Sequence, residues 1–289
     1  MILVAGGTGR LGTALVTRLA GRGLPVRVLT RDPARAAHLS AERVQVMTGD
    51  VREPASLAPA VRGAGVVVSA VHGFAGPGGV SPATVDCQGN INLIDAAMQA
   101  GAEVVLMSVV GAAADSPMEL FRMKHAAEQH LRASGAGWTI VRATAFLELW
   151  IDLLSQTAAR SGRPVVFGRG TNPINFVSVT DVAALAEQAV TDPAARGRIL
   201  EIGGPGNLTF NQLATAVQAA AGRTSAPRHV PPAMLRLIAS TLGQVKPEFG
   251  RQARAALIMD QTDLTHDATA IHQAYPGIPC TPLDVCLRS

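Results

Sequence analysis

The 289-residue chain has few aromatic side chains and few cysteines. Aromatic residues make up only 3% of it, so Ala, Val and Leu must fill the core that its 48% of hydrophobic residues can form. The three cysteines, Cys87, Cys280 and Cys286, show no C-x-x-C spacing. Such a sparse, odd set fits reduced thiols, and we therefore expect a cytoplasmic protein.

Long apolar runs and runs of like charge are also missing. No stretch reaches 18 consecutive apolar residues, so we expect no membrane span. A strand is predicted from residue 2, so we expect no signal peptide. Only Lys124 and Lys246 are lysines, which leaves 23 arginines among the 25 basic residues, and these arginines are scattered. We therefore expect no nucleic-acid partner.

The strongest motif lies in the first twelve residues. Ile2 to Ala5 is a short apolar run that is typical of a buried parallel strand, and Gly6, Gly9 and Gly12 follow it in the spacing G-x-x-G-x-x-G. Apolar residues then recur at helical intervals. In a dinucleotide site the glycines permit a tight turn, backbone approach to the pyrophosphate and close helix–strand packing, and the helix N-terminus faces the phosphates.

This motif predicts nucleotide binding, although a plain glycine-rich turn is the alternative. The predicted cofactor contacts in it are Gly6, Gly7, Thr8, Gly9, Arg10, Leu11 and Gly12.

Strand and helix signals alternate through the first half of the chain, which predicts an α/β fold with a doubly wound parallel sheet. We predict strands at Ile2–Ala5, Val26–Thr30, Val44–Met47, Val66–Ala70, Glu103–Ser108 and Trp138–Arg142. We assign residues 1–148 to a dinucleotide-binding Rossmann domain, to which strands from about 174–203 contribute. Residues 149–289 are predicted to form mainly a small substrate-binding lobe. Capping boxes are predicted at 116–119 and at 209–212.

Three further features bear on the predicted site. Arg31 follows the second strand, where an NAD site would place an acidic residue, so we predict NADP(H) in preference to NAD(H). A solvated loop arginine is the alternative. Asp50 either bonds the adenine amino group or caps a turn. The loop from Val71 to Pro82 carries His72 and leaves the carboxyl end of a strand, where open α/β sheets bind ligands.

Several segments together resemble the NmrA-like branch of the atypical short-chain dehydrogenase/reductases. They are GGTGRLG, TRDP, GDV, SVVGA, the helix with Lys124 and WTIVRATAFLE, and INFVSVTDVA and EIGGPGNLTFNQLA extend the match to about residue 221. The resemblance implies an extended Rossmann fold with NAD(P) bound along these loops. It adds the cofactor contacts Asp50, Val51, Ala70, Val71, Lys124, Ala143 and Thr144.

The reaction centre departs from the wider superfamily. Typical members place a Tyr four residues before the Lys, but Leu120 occupies that position here and Phe121 follows it. The only tyrosine is Tyr275, so the Tyr-based proton relay is absent. In isoflavone-reductase-like relatives the corresponding lysine is the acid/base. Lys124 is therefore predicted to bind the cofactor ribose or to transfer a proton, with a surface lysine as the alternative.

Ser108 is the second catalytic candidate, and a capping serine is its alternative. A substrate pocket is predicted from residues that could equally be core, namely His72, Phe74, Phe146, Leu147, Trp150 and Phe176. The histidines show no metal-binding spacing, so no metal is expected.

These features predict an NADP(H)-dependent oxidoreductase that reduces an apolar carbonyl, enone or quinone-like small molecule. The rival hypothesis is a redox sensor that binds NADP(H) without chemistry and acts through a protein partner. Homo-oligomerisation is a further option that the sequence leaves open.

Overall fold

The computed structural model describes residues 1–39, 42–76 and 79–288. The strands are β1 (Ile2–Ala5), β2 (Val26–Thr30), β3 (Val44–Thr48), β4 (Val66–Ser69), β5 (Glu103–Val109), β6 (Trp138–Ala143), β7 (Ala145–Phe146), β8 (Val165–Phe167), β9 (Pro173–Val177), β10 (Ile199–Ile202), β11 (Asn207–Thr209) and β12 (Arg228–Val230). The α-helices are α1 (Arg10–Gly21), α2 (Leu57–Val61), α3 (Gln88–Gln99), α4 (Glu119–Ala133), α5 (Leu147–Ser161), α6 (Val179–Thr191), α7 (Phe210–Ala220), α8 (Pro232–Ser240), α9 (Leu242–Val245), α10 (Pro247–Met259), α11 (Thr269–Ala274) and α12 (Leu283–Cys286).

The first of two compact units comprises Met1–Ala143 with Val179–Ile202. Its seven-stranded sheet has the order β10-β6-β5-β4-β1-β2-β3, and all of its pairings are parallel. The chain order reverses between β1 and β4, which opens a crevice at the carboxyl ends of those two strands. This sheet and its flanking helices confirm the predicted doubly wound α/β fold.

The second unit comprises Thr144–Ser178 with Gly203–Ser289. It contains a three-stranded sheet in the order β11-β9-β7 and a two-stranded sheet of β12 and β8. The strand signal at about residue 174 therefore belongs to this unit as β9, whereas the signal near residue 200 is β10 at the edge of the large sheet. The division into a nucleotide domain and a substrate lobe stays a prediction.

Aliphatic side chains fill the core of the first unit. Among the described residues, the largest fully buried side chains are all Leu or Ile. β1 is buried at each of its four positions, because a central parallel strand is covered on both faces. The scarcity of aromatic residues is thus matched by a core of Leu, Ile, Val and Ala.

Local signals succeeded at some helix starts and failed at others. The predicted capping box at Thr209 and Gln212 is present at the start of α7. The one predicted at Ser116 is wrong, because α4 begins at Glu119 and Ser116 Oγ instead accepts a hydrogen bond from the Met118 N–H. A π-helical turn, Pro82–Cys87, directly precedes α3.

Within the described residues, no helix is both long enough and apolar enough to cross a bilayer. Part of the predicted ligand-binding loop, Pro77 and Gly78, lies outside those residues.

Candidate functional site

The glycine loop between β1 and α1 contains two glycines that the fold itself requires. Gly6 has a φ of +81°, and a Cβ there would lie 2.6 Å from the carbonyl oxygen of Ala70. A Cβ at Gly12 would lie 2.2 Å from the carbonyl oxygen of Gly6. Any side chain at either position would collide with backbone, so these glycines hold α1 and the end of β4 close against the loop.

Gly9 differs from these two glycines. Its backbone is extended, with φ −82° and ψ 169°, and a Cβ there would meet only the Gly6 carbonyl oxygen, at 3.3 Å. Gly9 is also exposed. A Cβ at Gly9 would thus be crowded by one backbone atom, whereas a Cβ at Gly6 or Gly12 would collide with several.

The N-terminus of α1 is open to an anion. Its N-cap, Gly9, supplies no side-chain cap, and the first turn contains no acidic residue. The first backbone N–H groups of a helix have no intrahelical acceptor, and they carry the positive end of the helix dipole. Of the other predicted contacts, Gly7 and Leu11 are buried, Thr8 is half-buried and Arg10 is exposed.

Arg31 lies directly after β2 with its side chain in solvent. It makes no hydrogen bond or ion pair with any residue that the structure describes, so its guanidinium is free to bind a ligand. The neighbouring Asp32 accepts a hydrogen bond from the Ala34 N–H at 3.0 Å and so caps the 3₁₀ helix Pro33–Leu39. Arg31 therefore presents an exposed positive charge directly after the carboxyl end of β2.

Asp50 caps a turn, which was one of its two predicted roles. Its carboxylate receives four hydrogen bonds from Arg52, one from the backbone N–H and three from the guanidinium. The hydrogen bond from the Arg52 side chain lowers the pKa of Asp50, against the opposing effect of burial. The geometry gives no support to an adenine contact, because these bonds occupy the carboxylate. The carbonyl of Val51 likewise accepts from Asn92 Nδ2, at 2.8 Å.

Lys124 is buried beneath the carboxyl ends of β4 and β5. Its Nζ donates to the carbonyl oxygens of Val71 at 3.1 Å and Met107 at 3.0 Å, and it pairs with Asp86 Oδ1 at 3.1 Å. An ammonium group has three N–H bonds, and these three acceptors use them all. The surface-lysine alternative is wrong, since Lys124 is only 4% exposed. This arrangement leaves no donor for a ribose or a substrate.

Asp86, in the π-helical turn, is the counter-charge of Lys124. The Asp86 carboxylate also accepts from the Gly73 N–H, at 2.9 Å, and lies 3.3 Å from His72 Nδ1. Burial favours its neutral form, but the Lys124 charge and the bonds from His72 and Gly73 outweigh burial and lower the pKa of Asp86. Its contribution to stability is therefore present above the ordinary pKa of aspartate and is lost as the pH falls through the lowered value.

Sequence reasoning missed Asp86, although a signal for it was present. Helical spacing places Asp86 on the same face as Asn90, Leu93, Ile94 and Ala97, all of which are buried. A lone carboxylate on an apolar helical face needs a buried partner, and Lys124 is that partner.

Ser108 forms a buried side-chain hydrogen bond and does not cap a helix or a turn. Its buried hydroxyl donates to Glu128 Oε1, and Glu128 pairs with Arg142 at 2.6 Å. Arg142 also pairs with Glu201 at 3.0 Å, and the hydrogen bond that Arg142 donates to Glu128 is the main cause of the raised pKa of Arg142. The catalytic role predicted for Ser108 has no support in this geometry, because its proton is committed to a buried carboxylate.

The residues predicted to line a substrate pocket fall into both units. In the first unit, His72 and Phe74 have stacked rings with centroids 6.1 Å apart. In the second unit, Trp150 and Phe176 both pack edge-to-face on Phe210, at 4.6 and 5.6 Å. Phe210, which was not among the predicted pocket residues, joins Trp150 and Phe176 into one aromatic cluster.

Four further predicted residues lie between the end of β6 and the start of α5. Leu147 is buried and Phe146 is half-buried at the start of α5, and Thr144 Oγ1 donates to Asn175 Oδ1 at 2.9 Å. Ala143 is buried at the end of β6, where its carbonyl accepts from the Val110 N–H. Among the described residues, no group of three or more His, Cys, Asp or Glu side chains is placed to hold a metal ion.

The ion pair of Asp86 and Lys124 yields a stability prediction. Asp86→Asn should lower the free energy of unfolding by about 3–5 kcal/mol, because it leaves the Lys124 ammonium buried without a counter-charge. Adding Lys124→Met should recover part of that loss, since the double variant buries no charge. Urea denaturation followed by circular dichroism measures both values.

The control is Asp95→Asn, which removes the carboxylate of the more exposed Asp95–His130 pair. We expect it to cost less than about 1 kcal/mol. Equal losses for Asp86→Asn and Asp95→Asn, or a double variant less stable than Asp86→Asn, would contradict the assigned role of the buried pair.

Known proteins resemble this chain over most of its length. It is 34% identical over 248 residues to an NAD(P)H azoreductase of Xenophilus azovorans, covering 85% of this chain and 79% of that protein. It is 27% identical over 244 residues to the photosystem II assembly factor Ycf39 of Cyanophora paradoxa, covering 83% of this chain and 74% of that protein.

The fold also matches that of an NADPH-dependent quinone oxidoreductase of Escherichia coli, solved with NADPH. The TM-score is 0.80 at 22% identity, and the match covers 100% of this chain and 99% of the other. A model of the NmrA-like family matches residues 1–266. The sequence resemblance is thereby confirmed, and the chain belongs to the NmrA-like family.

Proposed function

We propose that this protein is an NAD(P)H-dependent oxidoreductase that reduces apolar carbonyl, enone or quinone-like small molecules. The observation that carries the proposal is Gly9, an exposed glycine at which a Cβ would meet one protein atom, the Gly6 carbonyl oxygen at 3.3 Å, rather than collide with several backbone atoms as at Gly6 and Gly12. It stands at the uncapped N-terminus of α1, in the crevice of a doubly wound sheet. The azoreductase relative supports the same activity.

The residues around the crevice fit a dinucleotide. The backbone from Gly6 to Gly12 would hold the pyrophosphate, and the free Arg31 guanidinium would hold a 2′-phosphate. When bound, the reduced nicotinamide supplies the hydride. The chain contributes the positioning of both phosphate groups, and Arg31 makes NADP(H) the preferred form over NAD(H).

The side chains near the crevice favour a particular class of substrate. Leu120 and Phe121 offer no phenol, and the N–H and O–H groups of Lys124 and Ser108 are committed to buried acceptors. Quinones and conjugated enones suit such a site, because delocalisation stabilises their reduced anions without a phenol or an ammonium group beside the oxygen. Simple ketones suit it less well.

A non-catalytic sensor is the less favoured function. The assembly-factor relative is less similar to this chain than the azoreductase relative, at 27% against 34% identity. Within the described part of the chain the three cysteines form no disulfide, which supports a cytoplasmic location for the proposed enzyme.

The first prediction here concerns Gly9. Gly9→Val should abolish NADPH binding and leave the protein folded, because its side chain would occupy the space of the pyrophosphate and displace little protein. Calorimetry measures the affinity and circular dichroism measures the fold. Gly65→Val is the control, since a Cβ at Gly65, before β4 at the opposite edge of the sheet, meets nothing within 4 Å. Unchanged affinity in Gly9→Val would remove the basis of the proposal.

A second prediction concerns cofactor preference. Arg31→Ala should weaken NADPH by about 1.5–3 kcal/mol, roughly one to two orders of magnitude, and leave NADH nearly unchanged. Arg43→Ala is the control, because it removes one exposed charge next to the amino end of β3. If NADPH and NADH weaken equally, or if the wild type prefers NADH, Arg31 does not recognise the 2′-phosphate.

The activity itself is tested by single-turnover oxidation of NADPH with quinones, conjugated enones, azo compounds and simple ketones. Quinones and enones should react fastest, and simple ketones should react about 10²-fold more slowly or worse. Tight NADPH binding with oxidation by none of these acceptors would overturn the reductase assignment and leave a sensor.

A further inference from the structure

His72 lies in the loop that leaves β4 at the crevice. Ala70, two residues earlier, places its carbonyl oxygen against Gly6 so closely that a Cβ on Gly6 would lie 2.6 Å from it. The backbone of the glycine loop and the start of the His72 loop are therefore in direct contact. His72 stands at the carboxyl ends of β1 and β4, where a doubly wound sheet binds its ligand.

The His72 side chain is tethered at one nitrogen and open at the other. Its Nδ1 lies 3.3 Å from Asp86 Oδ1, and its ring stacks on Phe74. More than half of the side chain, 54%, is exposed. Among the described residues, none forms a hydrogen bond with His72 Nε2.

The Asp86 carboxylate that contacts His72 Nδ1 is itself held in a fixed position. Its carboxylate is fully buried and is fixed by Lys124 Nζ on Oδ1 and by the Gly73 N–H on Oδ2. A carboxylate that accepts from Nδ1–H fixes the imidazole tautomer and orientation. Lys124 Nζ lies 3.1 Å from the same oxygen, Asp86 Oδ1, that faces His72 Nδ1.

We propose that His72 is the proton donor of the reductase and that Asp86 is its positioning residue, an inference that rests on the proposed function. With a reduced nicotinamide bound, the hydride that it supplies would form the new C–H bond, and the carbonyl π electrons would move to oxygen. The Nε2–H bond of the His72 imidazolium breaks as its proton passes to that oxygen. The imidazole is then neutral and regains a proton from water, and the nicotinamide would be left oxidised.

The test compares two acceptors, of which one needs a proton and the other does not. An enone takes a hydride and a proton, whereas a cationic triphenylmethane dye takes a hydride alone, because the hydride neutralises its carbocation. His72→Gln replaces the imidazole with an amide, which has no acidic proton. At saturating NADPH it should slow enone reduction about 10²-fold and change dye reduction less than about threefold.

The control variant is His130→Gln, which alters a second His–Asp pair in the same unit. It should leave the rates with both acceptors unchanged. The enone rate of the wild type should decline toward high pH as the imidazolium is consumed, and His72→Gln should lose that decline. Equal slowing of enone and dye, or no slowing of either, would overturn the role of His72.

A readout without turnover uses histidine NMR on the protein saturated with NADP⁺. The imidazole signal missing from His72→Gln should shift when the enone is added, while the signal of His130 should stay in place. No shift of the His72 signal would place the ring away from the substrate and refute the proposal. If the wild type oxidises NADPH with none of the acceptors, that result instead refutes the proposed function.

Discussion

The buried ion pair between Asp86 and Lys124 joins the segments that form the crevice. Through it the π-helical turn and α4 hold the β4 exit loop, at Val71 and Gly73, and the end of β5, at Met107. Both charges are almost fully buried, and each is satisfied by backbone groups as well as by its partner. A buried charge is tolerated only when its hydrogen bonds are complete, so the positions of these segments are tightly coupled.

The three glycines of the glycine loop differ in how much the fold itself requires them. Gly6 and Gly12 are explained by several backbone atoms with which a Cβ would collide, whereas a Cβ at Gly9 would meet one backbone atom, the Gly6 carbonyl oxygen at 3.3 Å. The three glycines look equivalent in the sequence, because spacing alone carries no information on what each one faces. Of the three, Gly9 is the one that the packing of α1 on the sheet explains least.

Much of the fold was predictable because its signals are local. The strands of the large sheet follow short apolar runs, and the start of α7 follows from a Thr and a Gln three residues apart. The capping box predicted at Ser116 failed, since the same local pattern also suits a turn, and there the Ser116 hydroxyl bonds to Met118 two residues on. Competing local hydrogen bonds of this kind have nearly equal energies, and the surrounding packing decides between them.

The sequence by itself determined the alternation of strands and helices, the glycine loop, the position of Arg31 after β2 and the presence of Leu120, rather than a tyrosine, four residues before Lys124. These depend on residues close together in the chain. Only the tertiary structure decided that Lys124 is committed to Asp86, that Ser108 is committed to Glu128, and that His72 keeps one nitrogen open. A proton's availability depends on which groups surround it, and here those groups come from chain segments 14 to 53 residues apart.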